Sequence, residues 1–196
     1  MFNLFKKNNT GNSLSAESYI NKGIDKAEIQ DFNGAISEYN KAIEIKPKFA
    51  LAYYNRANSY YKLKDYVAAM LDYNKAIEIN PSHLNSYYNR GRLKIEMDDQ
   101  IGAIEDYTIL LDLNPNDAVA YLNRGIAKDE LDNHQGAISD YDKAIVINPM
   151  YANAYCNRGI SKIFLGDKNS ACLDFKKASE LGDINAYELF KEYSTK

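Results

Sequence analysis

Asn74-Lys-Ala-Ile-Glu-Ile-Asn-Pro81 closes a 34-residue block, residues 50–83, which opens with Ala-Tyr-Tyr-Asn-Arg-Ala at 52–57 and turns at Asp65-Tyr66. The closing proline supplies no backbone donor and therefore stops a helix. Pro47, Pro81, Pro115 and Pro149 stand 34 residues apart and are all the prolines of the chain. So regular a period marks stacked copies of one supersecondary unit, and it allows the chain to be compared with itself.

Units opening at Ala16, Ala50, Leu84, Ala118 and Ala152 bring further columns into register. The fourth position is Tyr19, Tyr53, Tyr87, Tyr121 and Tyr155; the eighth is Gly23, Ala57, Gly91, Gly125 and Gly159. The twentieth is Ala35, Ala69, Ala103, Ala137 and Ala171, and the twenty-fourth is Tyr39, Tyr73, Tyr107, Tyr141 and Phe175. Small residues let two helices approach closely, and the rings fill the space between units. Each unit divides into two amphipathic stretches around a polar turn such as Lys64-Asp65, Asp98-Asp99 or Gly166-Asp167.

These residues and this period resemble the tetratricopeptide repeat from residue 16 to about 183. The resemblance implies an all-α fold: a right-handed superhelical solenoid of five tetratricopeptide helix-turn-helix repeats, at 16–49, 50–83, 84–117, 118–151 and 152–183. First helices would line a concave face, and stability would come from contacts between neighbours. In the fifth repeat Gly182-Asp183 stands where the proline stood. Beyond it, Ile184, Tyr187, Phe190 and Tyr193 recur every three residues, which predicts a C-terminal capping helix and tail over 184–196. The rival reading of that helix is a surface for dimerisation.

Residues 1–15 read as a polar, flexible leader, with a weak membrane-surface or partner contact through Phe2, Leu4, Phe5, Lys6 and Lys7 as its functional reading. The lysines arrive before a secretory apolar region develops, and no apolar run approaches the roughly 20 residues that span a bilayer. With 45% hydrophobic residues the 196-residue chain can bury a core. Its net charge of -3 lacks the basic field that nucleic acid attracts. Cys156 and Cys172 form neither a disulfide framework nor a C-x-x-C motif, which points to a reducing, cytoplasmic setting.

Among polar columns the sixth position is asparagine in every unit: Asn21, Asn55, Asn89, Asn123 and Asn157. Asparagine is a mediocre helix former, yet its amide matches the hydrogen-bonding pattern of a peptide group. The resemblance places this position on the concave face, where an asparagine ladder grips the main chain of a bound protein or peptide partner. The alternative is that these amides bond neighbouring helices or meet water. Around the ladder, Tyr54, Tyr88 and Leu122, with Ile20 and Cys156 in the same column, and Asn58, Arg92 and Ile126, with Ile24 and Ile160, form an apolar and aromatic floor. Glu17, Glu28, Glu96, Asp129 and Glu130 face Lys62 and Arg92 there, so the groove suits an extended segment with apolar anchors and a basic residue. No lysine occupies the fifth position, so the resemblance does not extend to the clamp that binds acidic chaperone tails.

A cationic seventh position, Lys22, Arg56, Arg90, Arg124 and Arg158, matches an acidic twenty-third, Glu38, Asp72, Asp106, Asp140 and Asp174. Because these positions lie on the two helices of one unit, the pairing predicts a structural salt-bridge ladder. A phosphate-binding arginine stripe would instead require arginines without carboxylate partners. His83 and His134 fall in or near turns and are expected to be exposed, without metal-ligand spacing. No nucleophile, phosphate-loop or metalloprotease motif appears, so no catalytic residue, cofactor or metal is expected. Cys156 is expected to be a buried structural residue. The reading is a protein-interaction module; the alternative is an assembly subunit that associates through its end helix or convex face, as a homo-oligomer or otherwise.

Overall fold

A computed structural model describes residues 14–194, so the leader up to residue 13, with Phe2, Leu4 and Phe5, lies outside the described residues. Every described element is a helix. The chain divides into two compact units, the first ending at Pro81 and the second beginning at Ser82.

The first unit holds α1 (Ala16–Glu28), α2 (Phe32–Ile45), α3 (Ala50–Lys62) and α4 (Tyr66–Ile79). Each helix packs against the next, and α1 also touches α3. Ala16, Ile20, Ala35, Tyr39, Ala42 and Ala52 form one core cluster, against which Tyr19, Ile24 and Phe49 pack. The second unit holds α5 (Leu84–Glu96), α6 (Gln100–Leu113), α7 (Ala118–Asp129), α8 (His134–Ile147), α9 (Ala152–Phe164), α10 (Lys168–Glu180) and α11 (Ile184–Ser194). It repeats the same stacking, with α5 on α7 and α7 on α9.

Side-chain size explains how closely paired helices approach. A Cβ on Gly125 would lie 2.5 Å from the Tyr141 ring, and one on Gly23 would lie 2.3 Å from Tyr39. Each large ring therefore sits on a bare patch of the partner helix. Turns inside the helix pairs share one geometry: Gln30, Lys64, Asp98, Asp132 and Gly166 all have positive φ. The next residue then caps the second helix, with Asp31, Asp65, Asp99, Asn133 and Asp167 accepting from the backbone N–H three positions on.

The last helix departs from expectation. Ala186 and Leu189 of α11 pack on Cys156, Ala178 and Tyr155, and Tyr193 meets Phe175 with ring centroids 6.0 Å apart. Ile184 and Tyr187, expected on the covering face, are 80% and 47% exposed. A three-residue spacing falls short of a 3.6-residue turn by about 60° per step, so Ile184 and Tyr193 lie on opposite sides of one helix.

Candidate functional site

The arginine of each later repeat meets the aspartate of the same repeat in a two-point contact. Arg56 Nε and Nη2 donate to Asp72 at 2.7 Å each, and Arg90 does the same to Asp106 at 2.8 and 2.6 Å. Arg124 engages Asp140 at 2.9 and 2.7 Å, and Arg158 engages Asp174 at 2.9 and 2.5 Å. Paired forks of this kind are strong because planar guanidinium and carboxylate match in shape. With these carboxylates occupying them, the arginines do not form a stripe for phosphate.

In the first repeat the structure pairs other residues than expected. Glu38 is held by Lys26 at 3.5 Å and Lys41 at 2.9 Å, while Lys22 is exposed and lies over the Tyr19 ring. Lysine lacks the planar fork, so charge matching between columns does not suffice to pair Lys22 with Glu38.

Two parts of this ladder escape a two-column reading. Lys94, Lys128 and Lys162, one turn after the arginines, add a second cation to Asp106, Asp140 and Asp174 at 3.1, 2.7 and 2.7 Å. The remaining Nη1 of the arginine reaches the preceding repeat: Arg56 to Asn40, Arg124 to Thr108, Arg158 to Asp142. Each of these arginines thus ties its own two helices together and staples them to the previous pair. The signal was present as a column of hydrogen-bond acceptors at the twenty-fifth position, Asn40, Asn74, Thr108 and Asp142.

The groove residues divide between core and surface. Leu122 is only 5% exposed, in a core cluster with Ala137, Tyr141, Ala144 and Ala154, and Cys156 is 7% exposed. Ile20 is equally enclosed. The fifth position faces the partner helices, so Leu122 holds the repeat together instead of meeting a ligand. Tyr54 and Tyr88, in the same column, are half-buried, packing against Tyr73 and Tyr107 with centroids 6.3 and 6.1 Å apart. Arg92 is exposed.

The asparagine column is not uniform. Asn21 is exposed, whereas Asn55, Asn89, Asn123 and Asn157 are half-buried. Asn123 donates to the Val119 carbonyl of its own helix at 3.0 Å and to the Tyr88 hydroxyl at 3.3 Å. Asn55 Nδ2 is buried and has no hydrogen-bond partner.

Asn55 and Asn157 border equivalent hollows, one in each unit. The first, about 300 Å³, is lined by residues including Ile24, Ala27, Phe32, Tyr39, Asn55 and Asn58. The second, about 270 Å³, is lined by Ile126, Asp129, Glu130, Tyr141, Asn157 and Ile160. Asn58 turns its Oδ1 to the Tyr73 hydroxyl at 2.7 Å. In the second hollow Asp129 accepts from the Tyr141 and Ser161 hydroxyls, both at 2.7 Å.

Neither histidine is the exposed loop residue expected. His134 opens α8, sits 2.9 Å from Asp129 through Nδ1 and stacks on Phe164 at 4.6 Å. His83 is half-buried beside Ser86, and burial holds its imidazole below the ordinary value. Their partners lie one turn or one repeat away, beyond what residues adjacent in sequence display. Burial pushes the Cys156 thiol up to about 11. Among the described residues no cluster suits a metal ion, and no helix is long and apolar enough to cross a membrane.

Helix pairs stacked in this way, with polar hollows between first helices, define a helical-repeat scaffold. Tetratricopeptide-repeat family models match residues 50–83, 72–105 and 152–181, and a further TPR repeat model matches 26–64 and 130–162. The chain belongs to the tetratricopeptide-repeat family, whose members are typically non-enzymatic protein-interaction scaffolds. No curated protein matches it significantly. Among solved structures, MamA is 27% identical with a TM-score of 0.79, over 85% of this chain and 91% of that one. YrrB, described as a TPR protein with an unusual peptide-binding site, is 22% identical with a TM-score of 0.79, over 91% and 92%. PilW, described as a widely conserved type IV pilus biogenesis factor, is 20% identical with a TM-score of 0.74, over 92% and 90%.

Proposed function

We propose that the chain holds an extended segment of a partner protein against its first helices, with the sixth-position asparagines bonding that segment's main chain. The observation that carries this reading is the recurrence of one hollow in both units, each bordered by such an asparagine. A hollow rich in apolar walls with few convergent polar groups is the usual form of a recognition site. Asn21, Asn55, Asn89, Asn123 and Asn157 make the main-chain contacts in this reading, and Tyr54, Tyr88, Asn58, Arg92 and Ile126 contact side chains. Leu122 acts from the core beneath them. Peptide binding by YrrB, a protein of the same fold, is consistent with this use of the face. The partner is a protein, not a nucleic acid, because the net charge of -3 attracts no phosphate backbone.

The test compares proteins captured from lysate by the wild type and by an Asn55→Ala, Asn89→Ala, Asn123→Ala variant whose circular dichroism is unchanged. Loss of a partner from the variant alone is expected; identical captures would sink the ladder. A second reading, self-association through the end helix, draws on the exposure of Ile184 and Tyr187 on α11. It requires mass to rise with concentration in sedimentation, and an Ile184→Glu, Tyr187→Glu variant to remain monomeric.

A further inference from the structure

We propose that the hollow bordered by α1, α2 and α3 selects an uncharged carboxamide side chain, glutamine or asparagine, from the partner segment. This inference rests on the reading above and names what one of its hollows recognises.

Two buried polar groups lack partners there. Tyr39 is 2% exposed and lines the hollow, and among the described residues none hydrogen-bonds its hydroxyl. Asn55 Nδ2 is the second such group. The same hydroxyl is satisfied in other repeats, where Tyr73 donates to Asn58 and Tyr141 to Asp129. At the position of Asp129 the first repeat has Ala27, which leaves the space of the missing carboxylate to the hollow. Buried polar groups without partners are costly and rare, so a pair of them facing one cavity marks where a ligand's polar atoms belong.

The rest of the lining sets the ligand's class. Ile24, Ala27 and Phe32 offer apolar walls suited to methylene groups. The charged lining residues, Glu28 and Lys62, are both exposed and of opposite sign. A carboxylate or ammonium at the deep end would lose hydration without a buried counter-charge. A purely aliphatic side chain would seal Tyr39 and Asn55 away from water still unpaired. A carboxamide serves both: its oxygen accepts from Asn55 Nδ2, and its N–H donates to the Tyr39 hydroxyl oxygen. In the second unit, Asp129 already consumes the Tyr141 hydroxyl and brings its own charge, so that hollow lacks this selectivity.

The test titrates full-length, 15N-labelled protein with N-acetyl-glutamine methylamide and with its leucine and glutamate counterparts, following the side-chain amide pair of Asn55 by NMR. The glutamine compound is expected to move that pair and to bind about fivefold or more tighter than the other two, the scale of one buried hydrogen bond. Tyr39→Phe should reduce this preference to about twofold or less, because the ring stays and only the hydroxyl's share of the discrimination goes. Ala27→Asp, which recreates the arrangement of Asp129 and Tyr141, should abolish binding with circular dichroism unchanged. Equal or tighter binding of the leucine or glutamate compound overturns the proposal, as does an Asn55 pair that none of the three moves. If the compounds fail while the triple asparagine variant still loses its partner, only the carboxamide site falls. If the glutamine compound binds while captures are unaltered, the main-chain ladder falls.

Discussion

The five rings of the twenty-fourth column share a position but not an environment, and the difference is measurable. Tyr141 donates to Asp129, whereas Tyr39 has no such partner and burial pushes its phenol up to about 12. Tyr141→Phe should lower stability by about 1 kcal/mol, the net worth of a buried hydrogen bond. Tyr39→Phe should leave the urea midpoint unchanged or raise it, since it removes an unpaired hydroxyl; an equal loss in both would show that Tyr39 is bonded. The eighth column separates in the same way. A Cβ at Gly125 meets Tyr141 at 2.5 Å, while one at Gly91 meets Tyr107 at 3.0 Å. Overpacking should make Gly125→Ala cost about 1 to 3 kcal/mol. At Gly91 the gain of about 1 kcal/mol from helix propensity offsets the milder contact, leaving Gly91→Ala near neutral. Thermal unfolding of the two variants side by side decides whether ring distance sets the sign.

At the scale of the helix pair, the staple from arginine to aspartate outweighs the staple to the previous repeat. The Asp140 side chain is almost fully buried between Arg124 and Lys128, while Asp142, the outer partner of Arg158, is half exposed. Removing the inner carboxylate leaves two cations in a partly dry site, so Asp140→Ala should cost about 3 to 5 kcal/mol. Asp142→Ala should cost under about 1 kcal/mol, like other exposed pairs; similar midpoint shifts for both would contradict this ranking. The turns supply a gain instead of a loss. Lys64 has φ 62°, a left-handed backbone that glycine adopts freely. Lys64→Gly should therefore raise stability by about 0.5 to 1 kcal/mol, measured by the urea midpoint. Helices and their pairing were legible because packing demands a large ring opposite a small residue in every copy, and that demand writes itself into columns. The hollows were less legible, because their chemistry depends on which column faces which. Ala27 and Asp129 occupy one position, yet only the folded chain shows that this choice decides whether a tyrosine hydroxyl is satisfied. Leu122 misled for the same reason: its column mixes core residues with half-buried tyrosines, and residue type alone does not say which side of the helix is covered.

Across a whole array each repeat is stabilised by its neighbours, so the last pair depends on whatever closes the stack. In the second unit that role falls to α11, which lays Ala186 and Leu189 over Cys156 and Ala178. Cys156 reports on this cover chemically, because burial first, and Asp183 second, push its thiol up to about 11. At pH 8 such a thiol is about one part in a thousand thiolate, and the thiolate is the reactive form. Deleting residues 184–196 keeps Asp183 but removes the cover, so the thiol should return towards its ordinary range. In a Cys172→Ser background, where Cys156 is the remaining cysteine, modification by a disulfide reagent at pH 8 should then accelerate by about two orders of magnitude. Raising the pH of the intact protein towards 11 should accelerate it as well, since protonation of the buried thiol holds the rate down. If deletion leaves the rate unchanged while helix content is retained, α9 and α10 alone enclose Cys156. The array would then end at its fifth helix pair, and α11, with Ile184 and Tyr187 exposed, would be available for contact with another molecule.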